Sequence, residues 1–228
     1  MPNKPDKDKH GQIVLKSLKE LENKRNKLLE RFKEMILAYG GTMYHVDLFA
    51  IGAVKRAIST IAGFKLLVES WNMICARALL RMQIDTALRF FSVFLVRRPN
   101  DFVNQVLEGQ QINRLKDKDG KKMTDAYLVS KLTSEYSWLP IVYKNLSGYV
   151  HFSEQHLFSS VEQVNDETGK VTWAIKEQDT KFPEFSWVEV VDCFNESTDI
   201  FIKYFEGWIF TKNNPDIVAK MKEKLKIE

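Results

Sequence analysis

Asn72–Phe91 reads NMICARALLRMQIDTALRFF, and the reading of this stretch decides the fold. Arg77, Arg81, Asp85 and Arg89 follow one another at steps of four. On an α-helix each step turns the side chain about 40° past a full circle, so Arg77, Arg81 and Asp85 cover one face about 80° wide. Nearly every other position is apolar. A helix greasy on almost all sides belongs inside a bundle, and charge there has to be paired or to serve a purpose. The charged face then reads in two ways. Either Arg81, Asp85 and Arg89 make an ion network along the helix that docks a neighbouring carboxylate, or three arginines against one aspartate make a cationic pocket. Arginine offers bidentate geometry to phosphate, so the ligand of such a pocket would be a nucleotide or an RNA backbone.

Working outward, the pattern predicts this helix over about 64–97, with Pro99 ending it and Arg97 and Arg98 near its C-terminal dipole. A helix over about 45–61 precedes it. Further back, Leu15, Leu18, Leu21, Leu28, Leu29, Phe32 and Ile36 recur at three-to-four spacing and predict an amphipathic helix over 12–40, broken by Gly40-Gly41. That helix could pair with a partner protein as a coiled-coil arm, although Asn23–Asn26 interrupts a strict heptad. Residues 1–11 are polar and predict disorder.

Downstream, 101–107 reads as a short helix ended by Gly109, and Asp119-Gly120 as a turn. Asp-x-Asp-Gly resembles the start of a calcium loop, but the remaining ligands and the closing Glu are missing. Thr124 caps a helix through Tyr136, and Pro140 opens another that reaches Val150. FSSVEQV and KVTWAIK flank NDETG, which predicts a β-hairpin near 157–177. A long apolar helix follows from Trp187 to Phe210, and Asn214-Pro215 opens a charged C-terminal helix over 213–228. The fold class is all-α, a helical bundle over 41–212 with one small β-hairpin insertion.

Composition narrows the function classes. The chain has 228 residues, 44% hydrophobic and 28% charged, ordinary for a globular protein. Its start lacks an apolar signal region, and the four charges between Trp71 and Val96 exclude a membrane span there. Two cysteines in apolar helical contexts suggest no disulfide framework and fit a reducing, cytoplasmic location. The net charge of +4 is uneven: residues 1–33 carry ten Lys/Arg against five Asp/Glu, and 212–228 five against three, so the middle is net negative. Basic ends of this kind help to hold nucleic acid, or simply keep helix faces solvated.

Two of the four histidines lie in LSGYVHFSEQH, Leu146–His156. A zinc helix requires His-Glu-x-x-His, whereas His151-x-x-Glu154-x-His156 turns the second ring about 140° from the first, so no metal is expected. Lys144 and His151 are seven residues apart, two helical turns, with Ser147 between them. A histidine beside a fixed cation suits acid–base attack by a ribose 2′-hydroxyl, with the cation steadying the phosphorane. In the structural alternative, Tyr143, Ser147 and His151 bond one another where the bundle meets the hairpin.

NMICARALLRMQIDTALRFF, KDKDGKKMTDAYLVSKL and YKNLSGYVHFSEQH together resemble the ordered blocks of a family of uncharacterised bacterial proteins found among mobile-element and defence genes. The resemblance covers about residues 46–156. More distantly, the helical plan and the GYVH stretch are similar to HEPN-type domains, many of which are RNA-cleaving toxins. Their signature is an Arg, a polar residue, then a His after four to six intervening residues. Here Lys144-Asn145 precedes His151 with that spacing, lysine standing in the arginine's place.

The resemblance implies an up-and-down helical core and an RNA-binding or metal-independent RNA-cleaving component of a toxin or phage-defence system, acting as a homodimer without a cofactor. His151 and Lys144 would be catalytic, Arg77, Arg81 and Arg89 would hold phosphate, and Asp85, Tyr143, Asn145, Ser147 and His156 would support them. The alternative is a non-catalytic interaction or nucleotide-sensing subunit, docked to a partner through its terminal helices.

Overall fold

The computed structural model of the chain describes residues 10–151 and 153–224. It opens with α1 (Gln12–Leu37), α2 (His45–Glu69) and α3 (Met73–Phe91). Four short helices follow: α4 (Pro99–Leu107), α5 (Asp125–Leu132), α6 (Leu139–Val150) and α7 (Glu154–Ser160). Strands β1 (Val161–Asn165) and β2 (Lys170–Trp173) pair antiparallel, and α8 (Glu184–Asn213) and α9 (Pro215–Lys224) close the chain. The protein is an all-α bundle with one small hairpin. Among the described residues, no helix is long and apolar enough to cross a membrane.

The core is built from α1, α2, α3 and α8. The first three alternate in direction, and the order of contacts gives the direction of the fourth. Ser17 meets Asp192 at 2.9 Å, Lys24 meets Asp199 at 2.7 Å and Arg31 meets Glu206 at 2.9 Å. Both series climb by seven, so α8 runs parallel to α1. It is parallel to α3 as well, because the segment between α3 and α8 carries the chain back to the starting end. Buried positions on α8 follow the same period: Trp187, Val191, Phe194, Thr198, Phe201, Phe205 and Trp208 alternate steps of four and three. On α1 the matching positions are Val14, Leu18, Leu21, Leu28 and Met35. Knobs at this spacing pack at the shallow angle of coiled coils.

Helix α1 is therefore part of the bundle and not an arm beside it. Its apolar stripe, which a partner protein would use, is covered by α8 and α2. The expected break near residues 62–63 is also absent. Gly63 stays helical, and a Cβ there would come within 3.1 Å of Leu79 on α3, so the glycine serves close helix packing.

The chain turns instead at Ser70–Asn72, where Trp71 takes the left-handed conformation with φ 62°. That costs a non-glycine residue roughly 1–2 kcal/mol and persists only when packing holds it. His10 supplies the packing: its ring stacks on Trp71 at 3.7 Å, meets Trp187 edge-on at 4.9 Å, and its Nε2 lies 2.6 Å from the Val68 carbonyl oxygen. His10, expected to be disordered, is thus buried; residues 1–9 lie outside the described residues. Asp179 completes the turn. Its N–H donates to the Trp71 carbonyl at 2.7 Å, and its carboxylate accepts the Met73 and Ile74 N–H groups that open α3.

At the opposite end, Asp47 and Lys212 are fully buried and 3.0 Å apart. The Asp47 carboxylate also accepts from the Trp208 indole at 2.8 Å and the Tyr44 N–H at 2.7 Å, and Lys212 donates to the Met35 carbonyl at 2.9 Å. One ion pair thereby ties together the ends of α1, α2 and α8.

The hairpin is shorter than expected. Residues 154–160 are helical, and the strands span only 161–165 and 170–173. The last helix begins at Pro215 as expected, but the Asn214 side chain reaches back to the Phe210 carbonyl at 2.9 Å.

Removing one member of a buried pair leaves the other charged and unpaired, at a cost of about 3–5 kcal/mol. Lys212→Met is expected to lose that much stability in urea unfolding, and adding Asp47→Asn is expected to return part of it. A wild-type midpoint for Lys212→Met would show that the pair does not hold the helix ends.

Candidate functional site

The charged side of α3 faces α5, α6 and the segment before α8, and the three arginines meet different fates there. Arg89 pairs with Asp85 at 3.2 Å and with Asp125. Arg81 reaches Asp125 at 3.3 Å and the Tyr143 hydroxyl, with its guanidinium 3.5 Å from the Tyr143 ring centre. The Tyr143 hydroxyl in turn donates to Asp125 at 2.6 Å. Arg56 of α2 closes the chain on Asp85 at 3.4 Å. All four carboxylate oxygens of Asp85 and Asp125 are occupied, so the charges of Arg81 and Arg89 are already met by carboxylates. The docked neighbour is Asp125, at the first position of α5 behind the Thr124 cap.

Electrostatics hold Asp125 and Tyr143 each in one protonation state. Burial pushes the Asp125 carboxyl up, but the Tyr143 hydroxyl and Arg89 pull harder, and the balance lies below the ordinary carboxylate value. Burial and the bond to Asp125 push the Tyr143 phenol well above its ordinary value, so it stays a neutral donor. Arg89 Nη1 is buried without a hydrogen-bond partner.

Arg77 differs. No ion pair joins it to a carboxylate among the described residues; its guanidinium donates to the Tyr149 hydroxyl and lies 4.7 Å from the Tyr149 ring and 5.3 Å from the Phe182 ring. Aromatic faces orient a guanidinium without neutralising it. Arg77 lines a cleft of about 230 Å³ between α3, α6, α7 and α8. Leu80, Val142, Leu146 and Val190 supply apolar walls, Asn145 and Gln155 amides, and Glu189 a carboxylate. Cys193 also lines it, but burial pushes its thiol up to about 12, which leaves it protonated and un-nucleophilic at neutral pH.

The residues expected to be catalytic lie elsewhere. Helix α6 ends at Val150, and His151 is extended at φ −105°, ψ 141°, so its side chain leaves the helical face that Lys144 and Ser147 share. Lys144 and His151 are both exposed, and neither lines the cleft. Tyr143, Ser147 and His151 are linked largely through backbone: Ser147 Oγ donates to the Tyr143 carbonyl at 3.2 Å, and the His151 N–H to the Ser147 carbonyl at 3.2 Å. His156 Nδ1 accepts the Ser153 N–H at 3.3 Å, and its ring lies 6.1 Å from that of Tyr149. Thus Arg77 and Asn145 come together in one cleft, Arg81, Asp85, Arg89 and Tyr143 in one ion network, and His151 and Lys144 in neither. Sequence reasoning passed over Asp125, Tyr149, Gln155 and Glu189. Thr124-Asp125 did mark a helix start, but nothing in its spacing pointed to α3.

A carboxyl held below its ordinary value stabilises the fold above the unfolded-state value, roughly 3.9, and that contribution is lost as pH falls through the folded-state value. Asp125→Asn is therefore expected to make the acid-unfolding curve shallower below about pH 4. At neutral pH it should cost about 1.5–3 kcal/mol, toward the low end because the carboxylate is partly solvated. An unchanged acid profile would remove Asp125 as keystone of the network.

Comparison of the chain with protein-family models, curated proteins and solved structures gives no match.

Proposed function

We propose that the protein is a non-catalytic helical binding module that takes a small organic anion in the Arg77 cleft. The observation that carries this reading is the contrast along α3: Arg81 and Arg89 are paired with carboxylates, whereas Arg77 makes no ion pair among the described residues, is held by the Tyr149 hydroxyl and two aromatic rings, and feels the Asp179 charge only from beyond contact. A positive charge half-buried beside apolar walls recognises an anion more strongly than one in open water. Asn145 and Gln155 fix orientation, and Glu189 favours a ligand with a hydrogen-bond donor next to its anionic group. At about 230 Å³ the cleft sits below the usual range for drug-sized ligands, so it fits a sugar phosphate or small organic acid better than a whole nucleotide.

The test is thermal unfolding with ribose 5-phosphate, L-glutamate and AMP as probes. A probe that binds should raise the wild-type melting temperature by about 5–10 °C at a hundredfold excess over its Kd. Arg77→Gln should abolish the shift, and Arg77→Lys should keep part of it. A shift that survives in Arg77→Gln, or no shift with any probe, overturns the reading.

A second reading is the HEPN-like one, an RNA-cleaving homodimer of a toxin or phage-defence system. It is favoured by the exposure of His151 and Lys144, whose side chains make no hydrogen bond or ion pair among the described residues. Incubating total RNA with wild type and His151→Ala separates the two: cleavage lost in the variant supports this reading, and equal inertness of both removes it.

A further inference from the structure

Between α3 and α5 the chain makes a tight turn from Leu115 to Met123 that the two readings above leave unused. The Met123 N–H donates to the Leu115 carbonyl at 2.9 Å, and Lys116 and Lys122 form an isolated antiparallel bridge. Two lysines are thereby placed directly opposite one another, an arrangement that is destabilising in itself. No ion pair relieves it: among the described residues neither lysine meets a carboxylate.

Of the two acidic residues in the turn, Asp119 is exposed and Asp117 is turned away. Asp117 is buried and accepts the Asp119 N–H at 2.9 Å, the Lys121 N–H at 2.8 Å and the Tyr127 hydroxyl. Its negative charge is consumed in shaping the turn, while Lys116, Lys118, Lys121 and Lys122 all remain exposed. A backbone bond from Lys118 N–H to the Leu95 carbonyl, 2.9 Å, sets the turn against the loop bearing Arg97 and Arg98. Both arginines are exposed, and Arg98 has Asp101 only at 3.7 Å. The two loops enclose a shallow cleft of about 360 Å³ whose charged lining is Arg97, Arg98, Lys116 and Lys118 with Asp101 and Asp117.

From this we propose that the turn and the Arg97–Arg98 loop together form a docking surface for the phosphate backbone of a nucleic acid. Arg97, Arg98, Lys116, Lys118, Lys121 and Lys122 stand against the exposed Asp101 and Asp119 and the sequestered Asp117, and this surplus of like charge is relieved by a partner carrying repeated negative charge. The cations are spread over two loops and do not converge on one point, which suits a chain of phosphates better than a single free phosphate. A membrane surface fits less well, because interfacial binding needs apolar side chains among the cations. Leu115 and Met123, the apolar residues that bound the turn, are both buried. This surface depends neither on an occupied Arg77 cleft nor on RNA cleavage at His151.

The experiment is fluorescence anisotropy with a labelled single-stranded RNA 20-mer over a series of salt concentrations, on wild type, Lys122→Glu and Lys116→Glu/Lys122→Glu. For single strands, log K against log salt loses about 0.7 in slope for each lost phosphate contact. The double variant is therefore expected to lose about 1.4 in slope and at least tenfold in affinity at low salt. Lys16→Glu/Lys19→Glu on α1 carries the same charge change, and its slope is expected to stay at the wild-type value. Lys122→Glu places opposite charges across the bridge, so its melting temperature should hold or rise while its binding weakens, which separates lost contact from lost folding. The proposal is overturned if wild-type binding is absent, if the double variant binds with the wild-type slope, or if the protein binds phosphatidylserine vesicles but not RNA.

Discussion

Helix α3 is covered on nearly every side, with only Cys75 and Met82 exposed, and the rest of the chain is arranged around that fact. Its apolar faces are covered by α2 and α8, where Phe90 packs against Phe201 at 5.4 Å and Gln83 bonds Thr60 and Thr198. The side that carries the arginines cannot face either of those helices without burying unpaired charge, at a cost of several kcal/mol. Cover for it has to bring carboxylate, hydroxyl and aromatic groups. The segment between α3 and α8 supplies them as Asp125, Tyr143, Tyr149 and Phe182. The same segment returns the chain to the starting end, so α8 must run parallel to α3.

Charge inside the molecule falls into three grades of access to water, and the grade decides what it does. Asp47 and Lys212 have no exposed surface and have partners beyond each other, so they lock helix ends and have no route to a ligand. Arg81, Asp85, Arg89 and Asp125 are partly exposed but closed on one another. Arg77, Lys116 and Lys122 are reached by water and make no ion pair among the described residues. The basic residues of this chain thus differ by partner, not by residue type.

What was readable in advance follows from how local each signal is. Thr124 accepts the Tyr127 N–H, Pro99 opens α4 and Pro215 opens α9, because caps and prolines act within one turn of helix. The α2–α3 boundary lies at Ser70–Asn72 and not near residues 62–63, where a glycine in isolation weakens a helix. Gly63 is instead explained by Leu79, a residue on another helix. Trp71 carries no turn signature of its own; its left-handed backbone depends on His10 and Asp179, distant in the chain. His151 shows the same limit: the seven-residue spacing to Lys144 holds only while the helix continues, and it ends at Val150.

By itself the sequence determined that the chain is helical, that α3 is interior, and that its arginines need partners, since periodicity and the cost of buried charge act residue by residue. Only the tertiary structure decided which partner each arginine has. The Asp85–Arg89 pair is local to the helix, but packing alone brings Asp125 to both Arg81 and Arg89 and leaves Arg77 with aromatic rings. Whether a cation is neutralised or available depends on distances of a few ångströms between elements far apart in the chain, because electrostatic attraction in a partly dry interior is strong only at contact.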